Sequence, residues 1–151
     1  MTRINTVPVS SLSDSHLLVE IQEIPRVPNL ALKRLRNKRP IESTGNYKLG
    51  SGHVLFFYDK IAYLYRRLEE LCIEADKRGF DDKRRPDDGR WSECQTYSNC
   101  WNDWYPDQNA LFENLERLVN KIEMSTVQPK YYRKTMDKVD FISKVLTNIS
   151  S

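Results

Sequence analysis

The amino-acid sequence predicts an all-α fold, arranged as one compact domain of about three main helices with long loops. The chain has 151 residues, the usual size of a single domain. Apolar residues recur at helical spacing in three long segments, and no segment alternates strictly as a half-buried strand would. With 39% apolar residues, five glycines and seven prolines, the chain is neither collagen-like nor of low complexity and is expected to fold.

The first predicted helix covers residues 11–24, and it ends before Pro25 because proline disfavours a helical residue ahead of it. Ser11 or Ser13 is suited to cap its amino end. A short basic helix is predicted next, over residues 29–37. The apolar stripe of the first helix consists of Leu12, Leu17, Leu18 and Ile21.

The longest predicted helix runs from residue 52 or 53 to residue 78, with Gly79 placed to cap its carboxyl end. Residues 40–50 before it contain the Pro, Gly and Asn typical of a loop. Residues 81–99 after it are polar and aperiodic, which predicts a surface loop. Its stripe consists of Leu55, Tyr58, Ala62, Tyr65, Leu68, Leu71, Cys72 and Ala75.

A third helix is predicted over residues 107–124, capped by Asp107. Its stripe consists of Leu111, Leu115, Leu118, Val119 and Ile122. In the tail, residues 130–151, helical spacing returns at Met136, Val139, Ile142 and Val145.

Positive charge is concentrated at the two ends of the chain. Residues 1–40 carry seven Lys and Arg against three Asp and Glu, and residues 130–151 carry five against two. Residues 91–129 carry two against six. If the ends lie close together, they form one basic face suited to a polyanion such as nucleic acid; otherwise they are two solvated basic segments.

Other features narrow the protein class. No apolar stretch approaches the length of a membrane helix, and the amino end lacks a secretory segment, so the cytoplasm is the expected location. The three cysteines are an odd number without CxxC spacing, and only two histidines could join them. We therefore expect reduced thiols rather than a zinc site, with Cys72 on a helix and Cys94 and Cys100 in a loop.

Thr2 is the first candidate for chemistry. A penultimate Thr is small enough for Met1 to be removed, which leaves an α-amine on residue 2. The ordinary pKa of such an amine lies well below that of a lysine side chain, so part of it is neutral near pH 7 and can form a Schiff base. The alternative is an ordinary solvated terminus.

Glu23 is the second candidate, at the end of the first helix beside Pro25 and Arg26. If it faces the Thr2 amine, its carboxylate can move protons and stabilise positive charge on a sugar or iminium. The alternative is a solvated or ion-paired side chain. His16 lies two helical turns earlier on roughly the same face, where a packing or capping role is the simpler interpretation.

Aromatic and glycine-rich segments offer further interpretations. Tyr131 and Tyr132 lie among lysines, a combination that can hold bases and phosphates, or they are core tyrosines beside surface lysines. Residues 50–52, Gly-Ser-Gly, lack the spacing of a nucleotide-binding P-loop, so a tight turn is favoured over a phosphate cradle. The three tryptophans of residues 91–104 are expected to cover the core as a lid.

Several segments occur together in a specific order. They are residues 1–5 (MTRIN), 17–27 (LLVEIQEIPRV), 49–60 (LGSGHVLFFYDK), 77–80 (KRGF), 105–106 (YP), 117–122 (RLVNKI) and 130–132 (KYY). In this arrangement the chain resembles the pyrimidine-dimer DNA glycosylases of T-even phages, the dimer-specific endonucleases V. The resemblance extends to about residue 136 and implies a glycosylase-like helical domain over residues 1–138, with residues 139–151 as an unmatched tail.

The resemblance implies a monomeric DNA-repair enzyme, without metal or cofactor, acting on double-stranded DNA that contains pyrimidine dimers or abasic sites. If a phage encodes it, its location is the host-cell cytoplasm. The amine of Thr2 would attack C1′ of the 5′ pyrimidine nucleotide to form an imine, and Glu23 would assist ring opening and the β-elimination that cuts the strand. By the resemblance, the residues that hold the dimer and the flanking phosphates are Arg3, His16, Arg26, Arg117 and Lys121. The further predicted DNA-binding residues are Gln22, Lys33, Lys130, Tyr131 and Tyr132.

The sequence departs from the family at two places. Gln22 replaces an arginine that contacts substrate beside the catalytic glutamate, which removes a full charge. Gln128 and Pro129 replace a Trp-Tyr pair, which removes a stacking surface. The alternatives to dimer cleavage are therefore a glycosylase or lyase for another damaged base or for abasic sites, and a non-catalytic DNA-binding relative.

Overall fold

The computed structural model describes residues 3–42, 45–81 and 89–150. Within these ranges the protein is mostly helical, as predicted, and has a single small two-stranded hairpin. The helices are α1 (Asp14–Glu23), α2 (Arg26–Arg36), α3 (His53–Phe56), α4 (Ile61–Lys77), α5 (Gly89–Gln95), α6 (Gln108–Met124) and α7 (Lys138–Ser150). The hairpin strands are β1 (Lys130–Tyr131) and β2 (Lys134–Thr135). The described residues thus contain seven α-helices where about three main helices were expected.

The amino-terminal helices begin close to their predicted positions. A short 3₁₀-helix, Val9–Ser11, precedes α1, which starts after Ser13, whose Oγ accepts the His16 N–H at 3.3 Å. The basic helix α2 starts earlier than predicted, directly after Pro25. Pro28 does not delay it, because a proline in the first helical turn loses no hydrogen bond.

The prediction of one continuous central helix is wrong. α3 ends at Phe56 and α4 begins at Ile61, whose N–H donates to the Cys100 carbonyl at 3.0 Å instead of to the preceding turn. Lys60 adopts φ −129°, outside the helical region. The end of α4 is as predicted: Gly79 has φ +85°, and the next N–H returns to the Ala75 carbonyl at 2.9 Å.

The prediction of a loop over residues 81–99 is wrong for residues 89–95, while residues 82–88 lie outside the described part of the chain. Trp91 and Cys94, three residues apart, form the buried face of α5. Cys94 therefore lies in a helix and not in a loop. All three cysteines are buried thiols.

The carboxyl-terminal half follows its prediction more closely. Asp107 caps α6, its Oδ1 accepting the Ala110 N–H at 2.8 Å. The predicted helical tail is α7, which packs Phe141 and Val145 onto α6 and the 3₁₀-helix. The hairpin before α7 is a small strand pair that the sequence pattern did not indicate. None of the helices among the described residues has the length and apolar character needed to cross a membrane.

Candidate nucleic-acid site at the amino-terminal segment

The segment formed by residues 3–8 runs through the middle of the fold. Ile4 is 1% exposed, and both of its backbone polar groups are bound by side chains. Its N–H donates to His53 Nε2 at 2.8 Å, and its carbonyl accepts the Tyr47 hydroxyl at 3.1 Å. Ile4 is therefore fixed in position by its side chain, its donor and its acceptor.

A buried carboxylate fixes the next residue. The Asn5 N–H and Nδ2 donate to the two oxygens of Glu20, at 3.4 and 2.7 Å, and the Asn5 carbonyl accepts the Tyr63 hydroxyl at 3.1 Å. Arg67 binds Glu20 in a bidentate pair at 2.8 and 3.1 Å. Burial alone would lower the pKa of Arg67, but the adjacent Glu20 carboxylate raises it, so the guanidinium stays charged.

Helix α6 binds the same segment from the other side. Asn114 Oδ1 accepts the N–H groups of Thr6 and Val7 at 2.8 and 3.2 Å, and its Nδ2 donates to Asn5 Oδ1 at 2.8 Å. The Val7 carbonyl accepts a hydrogen bond from Arg67. Side chains from α1, α3, α4 and α6 thus hold the backbone of residues 4–7.

Sequence reasoning missed this anchoring network, although a signal for it exists. Glu20 lies beside Ile21 on the apolar stripe of α1, and Arg67 lies beside Leu68 on that of α4. A charge on an apolar stripe requires a buried partner, so the two residues could have been paired in advance. Asn114 and His53 gave no such signal, because polar side chains of that size are common on half-buried faces.

Four of the predicted DNA-binding residues are brought together beside this segment. Arg3 repels Arg117, and Arg117 and Lys121 both act electrostatically on His16. We call Arg3, His16, Arg117 and Lys121 the cationic cluster. Burial, followed by the charge of Arg3, lowers the pKa of Arg117, and burial, followed by the charge of Arg117, lowers the pKa of His16.

The two arginines of the cationic cluster form no ion pair within the described part of the chain. Arg3 Nη1 is buried and has no hydrogen-bond partner there. The ion pairs among the described residues include neither Arg3 nor Arg117. Because a buried guanidinium nitrogen without a partner is costly, Arg3 is suited to binding an anion such as phosphate.

A groove continues from this cluster across the surface. It is a cavity of about 730 Å³ between the start of α1, the end of α6 and residues 125–130. Its basic lining residues are His16, Lys121, Lys130 and Arg133. A second depression, of about 620 Å³, adjoins it at Lys121 and is also lined by Arg117.

Glu23, Gln22 and Arg26 lie together where α1 passes into α2. The Glu23 side chain is 19% exposed, and its carboxylate pairs with the Arg26 guanidinium at 2.8 Å. The Arg26 side chain is 61% exposed. Gln22 is exposed beside this pair. Thr2, the other candidate catalytic residue, lies outside the described residues.

Tyr131 and Tyr132 are tied into the fold by their hydroxyls and rings. The hydroxyl of Tyr131 donates to the Ser10 carbonyl at 2.8 Å, and that of Tyr132 to Glu74 at 3.0 Å. The Arg78 guanidinium lies over both rings, 4.6 and 5.0 Å from their centres. Lys33 is exposed on α2, an element that carries no member of the cationic cluster.

The glycine and tryptophan interpretations are also resolved by geometry. Residues 50–52 form a tight turn that closes with the His53 N–H on the Gly50 carbonyl, 3.1 Å away. Trp91 and Trp101 pack against Tyr65, and Trp104 packs against Phe56 and Tyr63. The tryptophans therefore cover the core, as expected of a lid.

A mostly helical domain with a fixed amino-terminal segment beside the cationic cluster is suited to binding a polyanion. The family described as pyrimidine dimer DNA glycosylase matches residues 1–88, more than half of the chain, and the protein belongs to that family. It is therefore a DNA-repair glycosylase whose substrate is DNA containing pyrimidine dimers. The matched range includes Arg3, His16, Glu23 and His53 and ends before α6.

Proposed function

We propose that the protein cuts the glycosylic bond of the 5′ pyrimidine in cyclobutane dimers of double-stranded DNA, and then breaks the strand as an AP lyase. The α-amine of residue 2 is the nucleophile, which requires residue 2 to be the first residue of the working protein. The observation that carries this proposal is the fixation of residues 4–7, because four held backbone positions restrict where an amine two residues away can go.

In the first step the amine nitrogen forms a bond to C1′, and the bond from C1′ to N1 of the pyrimidine breaks. The pyrimidine leaves on N1 and takes up a proton, while it remains joined to its neighbour through the cyclobutane ring. Opening of the bond from C1′ to the ring oxygen then gives an imine between residue 2 and the sugar, with Glu23 assisting that opening.

In the second step Glu23 removes a proton from C2′, and the electron pair expels the 3′ phosphate by β-elimination. Water hydrolyses the remaining imine and releases the amine. Glu23 is paired with Arg26 in the structure, so substrate has to share or replace that contact. A phosphate near Arg26 would do so because it offers the guanidinium a competing anion.

The cationic cluster and the groove are proposed to hold the phosphates around the lesion. His16, Lys121 and Lys130 line one groove, Arg117 lines the depression that adjoins it at Lys121, and the charge of Arg3 acts on Arg117. Affinity gained from several phosphates weakens steeply as salt rises, since binding releases condensed counterions. The same contacts would favour damaged DNA, which bends more easily than intact duplex.

Borohydride trapping tests the proposal directly. The purified protein is incubated with duplexes carrying a thymine dimer or an abasic site, reduced, and digested for mass mapping of the adduct. An adduct on residue 2 with the dimer substrate is the expected result, and one added amino-terminal residue should abolish it. Absence of an adduct on both substrates would overturn the mechanism and favour a DNA-binding protein without catalysis.

Gln22 supports a second candidate, a lyase acting on abasic sites or on another damaged base. Its neutral amide is exposed beside Glu23, where the family has an arginine, so one charge that contacts the dimer is missing. An adduct on the abasic duplex alone would establish this second function. In that case Gln22→Arg should restore trapping on the dimer.

A further inference from the structure

His53 joins the amino-terminal segment to the turn formed by residues 50–52. Gly50 and Gly52 have φ of +74° and +88°, which only glycine adopts without strain, and a Cβ at Gly52 would overlap the aliphatic part of Lys48. This turn starts α3 with His53, whose side chain is 1% exposed. The imidazole lies between the Lys48 carbonyl, 2.9 Å from Nδ1, and the Ile4 N–H, 2.8 Å from Nε2.

These two partners define the state of the ring. A backbone N–H can only donate, so Nε2 carries no proton; a carbonyl can only accept, so Nδ1 carries one. His53 is therefore a neutral imidazole in its Nδ1–H form. Burial lowers the pKa of His53, and the charges of Arg3 and Arg117 lower it further, against opposing effects of the Lys48 carbonyl and Glu20.

The surroundings make protonation of His53 disruptive. The charged groups that face it are Arg3 on its own bonded segment, Arg117 on α6 and Glu20 on α1, and Glu20 is already paired with Arg67. The remaining neighbours are the aromatic edges of Tyr47 and Phe57, 5.5 Å away between ring centres. An imidazolium would point an N–H at the Ile4 N–H and add a third cation beside two guanidiniums.

We propose that His53 is a positioning residue for the amine of residue 2: it holds Ile4 only as the neutral Nδ1–H ring, so the segment is in its working position only while His53 is unprotonated. This inference rests on the proposed function. The amine of residue 2 must be deprotonated to react, and by this inference His53 must be deprotonated as well. The rate should therefore fall on the acid side of the pH profile with the uptake of two protons rather than one.

The test compares His53→Gln and His53→Leu with the parent and with the control Glu69→Gln, an exposed change on α4. The glutamine side chain of the first variant keeps an acceptor but does not titrate, whereas the leucine of the second leaves the Ile4 N–H unsatisfied. We expect His53→Leu to slow trapping on abasic duplex at pH 7.5 by about tenfold or more with unchanged DNA affinity. His53→Gln should trap at near the parental rate, and its rate should fall with one proton on the acid side, where the parent and Glu69→Gln fall with two.

Two spectroscopic measurements need no activity. The chain has two histidines, so His16→Gln leaves one imidazole, whose ¹⁵N shifts should show a protonated Nδ1 and a bare Nε2 at pH 7. The Ile4 amide should be protected from hydrogen exchange in the parent and His53→Gln and lose protection in His53→Leu. The opposite tautomer, or an Ile4 amide indifferent to His53→Leu, would overturn the inference.

The outcomes separate the two proposals. If the parent gives no adduct at any pH, the proposed function fails, and the tautomer and Ile4 protection still decide the role of His53. If the parent gives adducts and both His53 variants share its rate and pH profile, the function stands and the positioning role is wrong.

Discussion

Two kinds of charged residue lie at the amino-terminal segment: buried residues that pair with each other, and residues that form no ion pair with the described residues. Glu20 and Arg67 are buried and mutually satisfied, so they hold the backbone in place. Arg3 and Arg117 are not satisfied by the described residues, so they are available to an anionic ligand. The first two residues therefore shape the site, and the other two are available to bind its anionic ligand.

Glu23→Gln should abolish strand cleavage while leaving DNA binding within about twofold of the parent. The amide keeps the size of the side chain and removes the base needed at C2′. Gel-based cleavage of a dimer-containing duplex and a parallel binding titration measure the two effects. Glu69→Gln, an exposed change on α4, is the matched control, and parental cleavage by Glu23→Gln would remove Glu23 from the mechanism.

Arg117→Gln should weaken DNA binding by about tenfold and reduce the salt slope by about one phosphate contact. The reason is the loss of one cation from the cluster beside Arg3. Binding titrations between low and moderate salt give both quantities. Arg66→Gln, which removes a cation already paired with Asp103 and Glu70, is the control, and an unchanged slope for Arg117→Gln would contradict the prediction.

At the scale of elements, the hairpin formed by β1 and β2 is anchored by a buried ion network. The carboxylate of Asp14 accepts the N–H groups of Tyr132 and Arg133 at 3.1 and 2.7 Å. Arg78, whose side chain is fully buried, joins Asp14 to Glu74 at 3.0 and 2.9 Å. This network fixes Lys130 at the edge of the groove.

Arg78→Met should therefore lower the free energy of unfolding by about 3–5 kcal/mol, because it strands two buried carboxylates. Denaturant unfolding at neutral pH measures the change. Arg66→Met, in an exposed ion pair, should cost less than about 1 kcal/mol. Equal losses for the two variants would show that the buried network contributes no more than a surface pair.

Helix α7 is part of the same core even though the sequence resemblance ends before it. Phe141 is 1% exposed and packs beside Tyr131, 5.9 Å between ring centres. Phe141→Ala should lower the free energy of unfolding by about 3–5 kcal/mol. Val139→Ala, at a 73% exposed position on the same helix, is the control and should change it by less than about 0.5 kcal/mol. If Phe141→Ala were as stable as this control, the packing of α7 would contribute little to the stability of the core.

At the scale of the whole molecule, the two basic ends of the chain lie close together. Tyr131 reaches Ser10, and the groove that holds Lys130 also holds His16 of α1. Six of the seven Lys and Arg of residues 1–40 lie at positions 26–39, on or directly after α2, which packs on α1 and α5. One basic face that includes them therefore stays a prediction. Arg117 and Lys121 of the acidic stretch between the ends act electrostatically on His16, and Glu113 and Glu116 line the same depression as these two cations.

Stability should fall as the pH drops below about 6.5, the ordinary pKa of histidine. Burial lowers the pKa of both His16 and His53 in the folded protein, so the unfolded chain binds protons first as the pH falls. The contribution of the two neutral histidines to the free energy of unfolding is complete above pH 6.5 and is lost as the pH falls below it. Urea unfolding at pH 7.5 and 5.5 measures the loss, and the double variant His16→Gln/His53→Gln should lose less; equal losses would contradict the prediction.

The sequence by itself determined the helical class, the ends of α4 and α6, and the residues that point to DNA repair, while it left the cap of α1 open between Ser11 and Ser13. Each of these depends on neighbours a few positions apart, such as Asp107 capping Ala110. The placement of Glu23 at the end of α1 was predicted on the same grounds, and so was the turn at residues 50–52.

The tertiary structure decided what depends on distant partners. The break before Ile61 exists because Cys100, far along the chain, accepts its N–H. The ring state of His53 and the hold on residues 4–7 arise only when α1, α3, α4 and α6 meet around that segment. Periodicity reports which face of a helix is buried, but a buried hydrogen bond is specified by both of its ends, and only the folded chain brings them together.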